Sequence, residues 1–254
     1  MFLEAMLENS RIPLYQQIYD LLREKIDTGV FLPKTQIPTE AELSQEYEVS
    51  SITVKQAIQK LVAEGLLYRK QGKGTFVCSP RVNRKLNRLI SFNAEMLQKG
   101  MVPSTKVLDV HEAVPRKSVA EALQLPGDSR TIVVKRLRMA DDEPLAIQTS
   151  HIPQWLCPTL VDKRDALGGS LYGLLLEEYG LVTSSGRESY SAVIISGPDA
   201  RLLEVPDGSP AFAVQRLAFL PDGRPVEFVH SVLRGDRYSL DVELQAPDPT
   251  VSGW

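Results

Sequence analysis

The stretch 37–77 constrains the fold of this chain more than any other, and it reads IPTEAELSQEYEVSSITVKQAIQKLVAEGLLYRKQGKGTFV. Thr39, followed three residues later by Glu42, is a capping box, which predicts a helix that begins at Glu40. Ser50 is a favourable N-cap for a second helix, and Gly65 is suited to end it. The apolar residues of this second helix recur on one face, at Val54, Ala57, Ile58, Leu61 and Val62.

Two β-like runs follow, at 66–70 and 75–78, joined by the segment QGKG. Gly72 and Gly74 allow the positive φ angles that a tight hairpin requires. A short helix, a turn, a polar-faced helix and a hairpin in this order predict a winged helix-turn-helix. The second helix of such a unit is narrow enough to enter the major groove of DNA.

Positive charge is concentrated in and just after this stretch. Between residues 50 and 90 there are nine lysines and arginines and one acid, Glu64, so this segment carries +8 in a chain of net charge −3. Such a patch is typical of a phosphate-binding surface. A merely solvated helical face would explain any single lysine, but it explains poorly why the charges gather on the hairpin and the helix beside it.

The 254 residues are enough for one large domain or two ordinary ones. No run of about twenty apolar residues predicts a membrane span, and the N-terminus does not have the pattern of a signal peptide. The two cysteines do not form a disulfide framework, and the three histidines lack metal-ligand spacing. We therefore expect a cytoplasmic protein with no metal, no cofactor and no catalytic residues.

The predicted organisation is an N-terminal winged helix-turn-helix at 10–78, a linker at 79–90 and a second domain at 91–245. A first helix, with apolar residues at helical spacing from Leu14 to Ile26, ends at Gly29 and packs behind the motif. The segment 79–89 is basic and poor in apolar residues, which is typical of a linker.

The second domain combines β-rich runs with a few helices. Strands are predicted at 105–111, 131–139, 145–151, 188–195, 211–219 and 226–233, and helices at 92–98, 117–123, 171–179 and 198–203. Strands joined by hairpins and interrupted by a few helices favour an α+β domain with an antiparallel sheet.

An internal repeat of eighty residues runs through this domain. LQLPGDSR at 123–130 recurs as LEVPDGSP at 203–210, and VKRL at 134–137 recurs as VQRL at 214–217. Two such copies imply pseudo-two-fold symmetry, with a site where the copies meet. Arg136 recurs as Arg216, which favours a structural role, whereas the counterpart of Arg138 is Ala218, which favours a ligand role.

These motifs together resemble a known family. PTEAEL and VSSITVKQAIQKLVAEGLLYRKQGKGTFV are similar to the winged helix of GntR-family transcription regulators. SFNAEM, VVKRLRMADDEPLAIQTSHIP, GGSLYGLLLEEYG and PVEFVHSVLRGDRY resemble the UTRA effector-binding domain of the HutC subfamily, which is related in fold to chorismate lyase. The resemblance covers about residues 11–242.

The resemblance implies a homodimer that binds a short palindromic operator and represses transcription. It also implies that a small anionic metabolite, a sugar phosphate or an organic acid, binds the C-terminal domain and alters the spacing of the two winged helices. Two alternatives stay open: a constitutive DNA-binding protein whose second domain only dimerises, and a lyase-like enzyme.

The resemblance and the charge pattern also assign site residues. The DNA-binding candidates are Thr39, Ser50, Ser51, Thr53, Lys55, Gln56, Arg69, Lys70, Gly72, Lys73 and Gly74. The effector-binding candidates are Ser91, Phe92, Asn93, Arg136, Arg138, Gln148, Ser170, Tyr172, Glu227, His230 and Arg234. Paired arginines with a serine hydroxyl suit a phosphate or carboxylate. The family often has arginine at the positions of Ala41 and Ser51, so its usual operator is not carried over.

Overall fold

The computed structural model describes residues 12–70, 72–78, 81–86 and 88–243. The chain divides after residue 80 into two compact units. Several predicted positions lie outside the described residues: 10–11, Gln71 of the hairpin, 79–80 and 87 of the linker, and 244–245. In the part of the chain that is described, no helix is long and apolar enough to cross a membrane.

The N-terminal unit is a three-helix bundle with a β-hairpin. Its helices are α1 (Leu14–Asp27), α2 (Glu40–Glu46) and α3 (Ser51–Ala63), and its strands are β1 (Leu67–Lys70) and β2 (Gly74–Val77). The predicted capping box begins α2: Thr39 Oγ1 accepts from the Glu42 amide at 3.2 Å, and Glu42 Oε2 accepts from the Thr39 amide at 2.7 Å. The core consists of the apolar faces of the helices together with both strands: Ile18, Leu22, Leu43, Val54, Ile58, Leu61, Leu67 and Val77.

The hairpin forms a wing on this bundle. β1 and β2 pair antiparallel, with Leu67 opposite Val77, and Gln36 adds a bridge to Phe76. Gly72 and Gly74 have φ values of +70° and +116°, as predicted for the turn. At Gly74 a Cβ would also lie 2.5 Å from Gln36 Nε2, so that side chain would have to move to admit one. The winged helix-turn-helix prediction is confirmed.

The C-terminal unit is built on a six-stranded antiparallel sheet. Its helices are α4 (Phe92–Gln98), α5 (Lys117–Ala122), α6 (Leu171–Tyr179) and α7 (Gly197–Leu202). Its strands are β3 (Val82–Lys85), β4 (Pro103–Ala113), β5 (Thr131–Ala140), β6 (Glu143–Pro153), β7 (Ser185–Ile195), β8 (Ser209–Phe219), β9 (Pro225–Arg234) and β10 (Tyr238–Asp241). The main sheet has the order β4-β5-β6-β9-β8-β7. The predicted α+β class is confirmed.

The strand order explains the internal repeat. The triplet β4-β5-β6 and the triplet β7-β8-β9 have the same connectivity, and their last strands, β6 and β9, pair at the centre of the sheet. Corresponding backbones agree in detail: Gln124 after α5 and Glu204 after α7 both have positive φ, at 52° and 54°. The predicted pseudo-two-fold symmetry is therefore present, with β6 and β9 where the copies meet.

Part of the predicted linker 79–90 is a strand. Val82–Lys85 form β3, which pairs in parallel with β10, and Val82 is buried. Local composition indicated a solvated linker because three of the four residues of this strand are polar. β3 forms by pairing with β10, which lies more than 150 residues away in the sequence, so no local sequence pattern predicts it.

The two faces of the main sheet carry different layers. Directly paired residues share a face, so Arg136 on β5 lies on the same face as Gln148 on β6 and Ser231 on β9. We call this the cleft face; α6 packs over one part of it and α4 over another. The opposite face is covered in part by α7, which packs on Leu137 and Ile147.

Candidate functional site

The exposed end of α3 presents a polar surface. Ser50 Oγ accepts from the Thr53 amide at 3.2 Å and lies 2.8 Å from the Thr53 hydroxyl, so both residues shape the helix start. Ser51, Lys55 and Gln56 are exposed on the following turns, where they could donate to phosphates or to base edges.

The wing adds positive charge beside this surface. Lys73 and Gly72 are exposed at its turn. Lys70 lies above the stacked rings of Tyr68 and Phe76, with Nζ 5.6 and 5.4 Å from their centroids. Arg69 is tied to Glu40 of α2 at 2.7 Å, which joins the wing to the helix pair.

Not every basic residue of this region belongs to that surface. Lys60 Nζ lies 4.2 Å from the Tyr19 ring centroid and donates to Gln16 at 2.8 Å, so it packs against α1. Arg84 is held by Glu188 within the C-terminal unit. The +8 counted along the sequence therefore overstates the charge available to a single surface.

A cleft opens on the cleft face of the main sheet. Four strands, from both repeat copies, form its floor, and the first turns of α4 and α6 form its walls. It is lined by Ser91, Phe92, Arg136, Arg138, Gln148, Leu171, Tyr172, Arg216, Glu227 and Val229. The cleft thus lies where the two copies meet.

Two buried arginines dominate the cleft. Arg136 is 4 % exposed and Arg138 2 %. Arg138 stacks on Phe92, with Cζ 4.4 Å from the ring centroid, and donates to Asn93 Oδ1. Yet Nε and Nη1 of both arginines are buried without a hydrogen-bond acceptor among the residues that the structure describes. Such groups are costly to leave unpaired.

The pKa values of the two arginines are also shifted by their burial in the cleft. Burial, followed by the neighbouring Arg136 charge, lowers the pKa of Arg138 to about 9. Burial also lowers the pKa of Arg136, although Glu227 and Tyr172 oppose this. Arg138 remains protonated at neutral pH, so the cleft holds charge that calls for a counter-anion.

The rest of the cleft forms a hydrogen-bonded chain. Tyr172 donates to Glu227 Oε2 at 2.9 Å, and Arg216 Nη1 donates to the Tyr172 hydroxyl at 3.4 Å. Arg216 Nε also donates to Glu188. Burial, followed by the Glu227 charge, raises the pKa of Tyr172, so its hydroxyl remains protonated and holds Glu227 in place.

Both units match known families. Residues 14–77 match the family of bacterial regulatory proteins described as gntR, and residues 98–239 match the UTRA domain. The chain is 32% identical over 233 residues to the HTH-type transcriptional repressor NagR of Bacillus subtilis, which covers 92% of this chain and 95% of that protein. It is 30% identical over 234 residues to the mannosyl-D-glycerate transport/metabolism system repressor MngR of Escherichia coli, covering 92% and 96%.

The fold also has a solved counterpart. PhnF from Mycobacterium smegmatis superposes with a TM-score of 0.64 at 21% identity, covering 91% of this chain and 100% of that one. The chain belongs to the GntR family. It is a DNA-binding transcription regulator with a UTRA effector-binding domain, as its resemblance to the HutC subfamily predicted.

Most of the effector candidates of this GntR-family regulator come together. Ser91, Phe92, Arg136, Arg138, Gln148, Tyr172 and Glu227 line the cleft, and Asn93 contacts it through Arg138. Ser170 caps α6 and lines a shallower neighbouring groove that shares Ser91 and Tyr172 with the cleft.

His230 and Arg234 require correction, because both lie away from the cleft. His230 is exposed opposite Thr149, one residue out of phase with Val229, so the alternation of β9 places it on the opposite face. Arg234 Nη1 donates to the Pro144 carbonyl at 2.9 Å, and its other nitrogens donate to Asp236. Its role is to hold the end of β9.

Sequence reasoning missed three cleft residues and one residue of α3. Arg216 was assigned a structural role as the repeat counterpart of Arg136, but that same repeat could have placed it in the cleft. Leu171 and Val229 carry no chemical signal in the sequence. Ile52 on α3 is 71% exposed, beside Ser51, where an apolar side chain suits a thymine methyl group.

Proposed function

We propose that this regulator is a homodimeric, cytoplasmic repressor that binds a palindromic operator and is released from it by a small anionic metabolite in the cleft. The part of this proposal that concerns the effector rests on Arg136 and Arg138. The two side chains are buried side by side, and they have N–H groups that lack acceptors in the described part of the chain.

A phosphate or carboxylate fits this pair for a physical reason. Its oxygens accept several N–H bonds at once, and its charge offsets the repulsion between the two guanidinium groups. Gln148 on the paired strand and Ser91 at the start of α4 add neutral polar groups beside it. Glu227 faces the same space and disfavours a ligand that is anionic at both ends.

The DNA half of the proposal uses the surface of α3 and the wing. The residues proposed to contact DNA are Thr39, Ser50, Ser51, Ile52, Thr53, Lys55, Gln56, Arg69, Lys70, Gly72, Lys73 and Gly74. A two-fold dimer would read a two-fold site, and its geometry would set the half-site spacing. The names of the relatives NagR and MngR as repressors support repression as the sign of regulation.

The test is binding to the DNA that flanks the protein's own gene, at fixed salt, with and without a panel of phosphorylated sugars and small organic acids. We expect tight binding that one anionic compound releases. In Arg138→Ala we expect the same binding without release, whereas Arg187→Ala, an exposed arginine on the edge strand β7, serves as a matched control that behaves as wild type.

The outcomes separate the two halves of the proposal. Binding that no compound alters would favour a constitutive DNA-binding protein. Loss of DNA binding in Arg138→Ala would contradict the assignment of Arg138 to the effector.

A further inference from the structure

One buried carboxylate oxygen is shared by two arginines from different parts of the C-terminal unit. Arg84 Nη2 lies 2.9 Å from Glu188 Oε1, and Arg216 Nε donates to the same oxygen. The three side chains are only 10–19% exposed. Tyr190 donates its hydroxyl to the second oxygen of Glu188. Glu188 therefore joins two cations that would otherwise have no contact with one another in this arrangement.

The two arginines belong to different functional elements. Arg216 lines the effector cleft and contacts Tyr172 there. Arg84 lies in β3, which begins two residues after the end of the N-terminal unit. β3 is the first strand of the effector domain along the chain.

The charges around Glu188 favour the ionised form of its carboxyl group. Burial by itself would raise the pKa of Glu188, but Arg216 and Arg84 outweigh it and lower that pKa. The other acid nearby, Glu95 on α4, is 4.0 Å from Arg84 Nη1. Burial raises the pKa of Glu95 despite Arg84, so it competes weakly for that arginine.

We propose that Glu188 is a positioning residue. Through its shared bonds to Arg216 and Arg84, it couples occupancy of the cleft to how firmly β3 is held in the C-terminal unit. The proposal rests on the anion-binding function proposed for the cleft. An anion there attracts Arg216 and weakens its bond to Glu188. Glu188 remains buried and ionised, so it holds Arg84, its other cation, more tightly.

The consequence is that ligand binding stabilises β3 against local opening. By linkage, the same coupling makes the affinity of the cleft for an anion higher when β3 is held in place than when it has opened. A purely structural ion cluster would instead stabilise the fold equally with and without ligand. This difference separates the two roles experimentally.

The experiment uses the full chain and inorganic phosphate as the probe, with ionic strength held constant by chloride. Nε–H resonances of the arginine side chains report each guanidinium separately, and amide hydrogen exchange reports the opening of 82–86. In wild type we expect phosphate to shift Arg136, Arg138, Arg216 and Arg84, and to slow exchange in β3 at least about 5-fold, the lower end of ordinary coupling between sites.

Glu188→Gln removes the shared charge with little change in shape. We expect phosphate still to shift Arg136 and Arg138 in this variant, while the response of Arg84 and the slowing of exchange in β3 are lost. Arg187→Gln, one position earlier on the same strand and exposed on the other face, is the matched control and keeps both responses.

A second variant guards against misfolding of the first. Arg84→Gln breaks the same link from the β3 end, and we expect phosphate to shift the cleft arginines without slowing exchange in β3. An unchanged response of β3 in either folded variant would overturn the coupling alone. Phosphate that shifts none of Arg136, Arg138 and Arg216 in wild type would overturn the anion site and the coupling with it.

Discussion

Arg136 and Arg138 project from the same face of β5 into one cleft, and in the described part of the chain each keeps two buried nitrogens without an acceptor. Their closeness is a consequence of strand geometry, since residues two apart on a strand share a face. Two like charges held this way store repulsion that a bound anion relieves. The ligand-free fold is therefore less stable at this point than an apolar core would be.

Replacement of Arg138 by a neutral side chain should reveal this cost. We expect Arg138→Met to raise the free energy of unfolding of the ligand-free chain by about 1 kcal/mol, because it removes a buried charge from beside Arg136. Denaturant unfolding measures the change. We also expect sulfate to stabilise the wild type by binding to the two arginines, and to stabilise Arg138→Met less. A variant that is both less stable and equally stabilised by sulfate would contradict this account.

The wing should contribute through its charge to DNA binding of any sequence. We expect Lys73→Ala to weaken binding to an arbitrary duplex and to reduce the slope of log K against log salt by about one unit. Lys60→Ala removes the same charge from a residue that packs on Tyr19, and its slope should equal that of the wild type. Equal slopes for both variants and the wild type would remove Lys73 from the contact surface.

Thr39 has two assigned roles that one pair of substitutions separates. Thr39→Ala removes the cap of α2 and should lower stability by about 1 kcal/mol. Thr39→Asp keeps a capping oxygen, so stability should stay near that of the wild type, but its negative charge should weaken DNA binding. Thermal unfolding and duplex titration measure the two effects. Undiminished DNA binding by Thr39→Asp would limit Thr39 to the cap.

His151 should make stability depend on pH. Burial lowers the pKa of His151, and so do the charges of Arg116, His111 and His230. The unfolded chain therefore binds this proton more readily than the folded one, so stability is present above the ordinary histidine pKa of about 6.5 and is lost as pH falls through that value toward the folded pKa.

The measurement is the unfolding midpoint between pH 7.5 and pH 5. We expect a smaller loss on acidification in His151→Gln than in the wild type. His111→Gln, at an exposed residue whose charge also lowers the pKa of His151, should reduce the loss by less than His151→Gln does. Parallel curves for His151→Gln and wild type would show that His151 does not titrate differently on folding.

Local signals were enough for much of the fold. The capping box at Thr39, the cap at Ser50 and the glycines of the wing act within a few residues, so their consequences were predictable. The repeat, whose copies are eighty residues apart, predicted more of the fold, because two copies of one connectivity imply a pseudo-two-fold axis. It also predicted a site where the copies meet, and the sheet order shows that β6 and β9 are the strands that meet.

The predictions failed where a residue's role depends on a distant partner. β3 was assigned to the linker because its partner β10 lies at the other end of the chain. His230 was placed in the site although it is one residue out of phase with Val229 on β9. Arg216 was left out because its place in the cleft floor depends on Tyr172 and Glu188, which come from other elements.

The sequence alone determined the family, the winged helix-turn-helix, the order of most strands and helices and the paired arginines, because periodicity, capping and motif spacing are local properties of the chain. The tertiary structure decided which face of each strand points into the cleft, which basic residues are available to DNA and which are tied to acids or rings. It also decided that Glu188 serves two arginines at once. Those outcomes depend on register and on packing between residues far apart in sequence, where a shift of one position reverses the direction of a side chain.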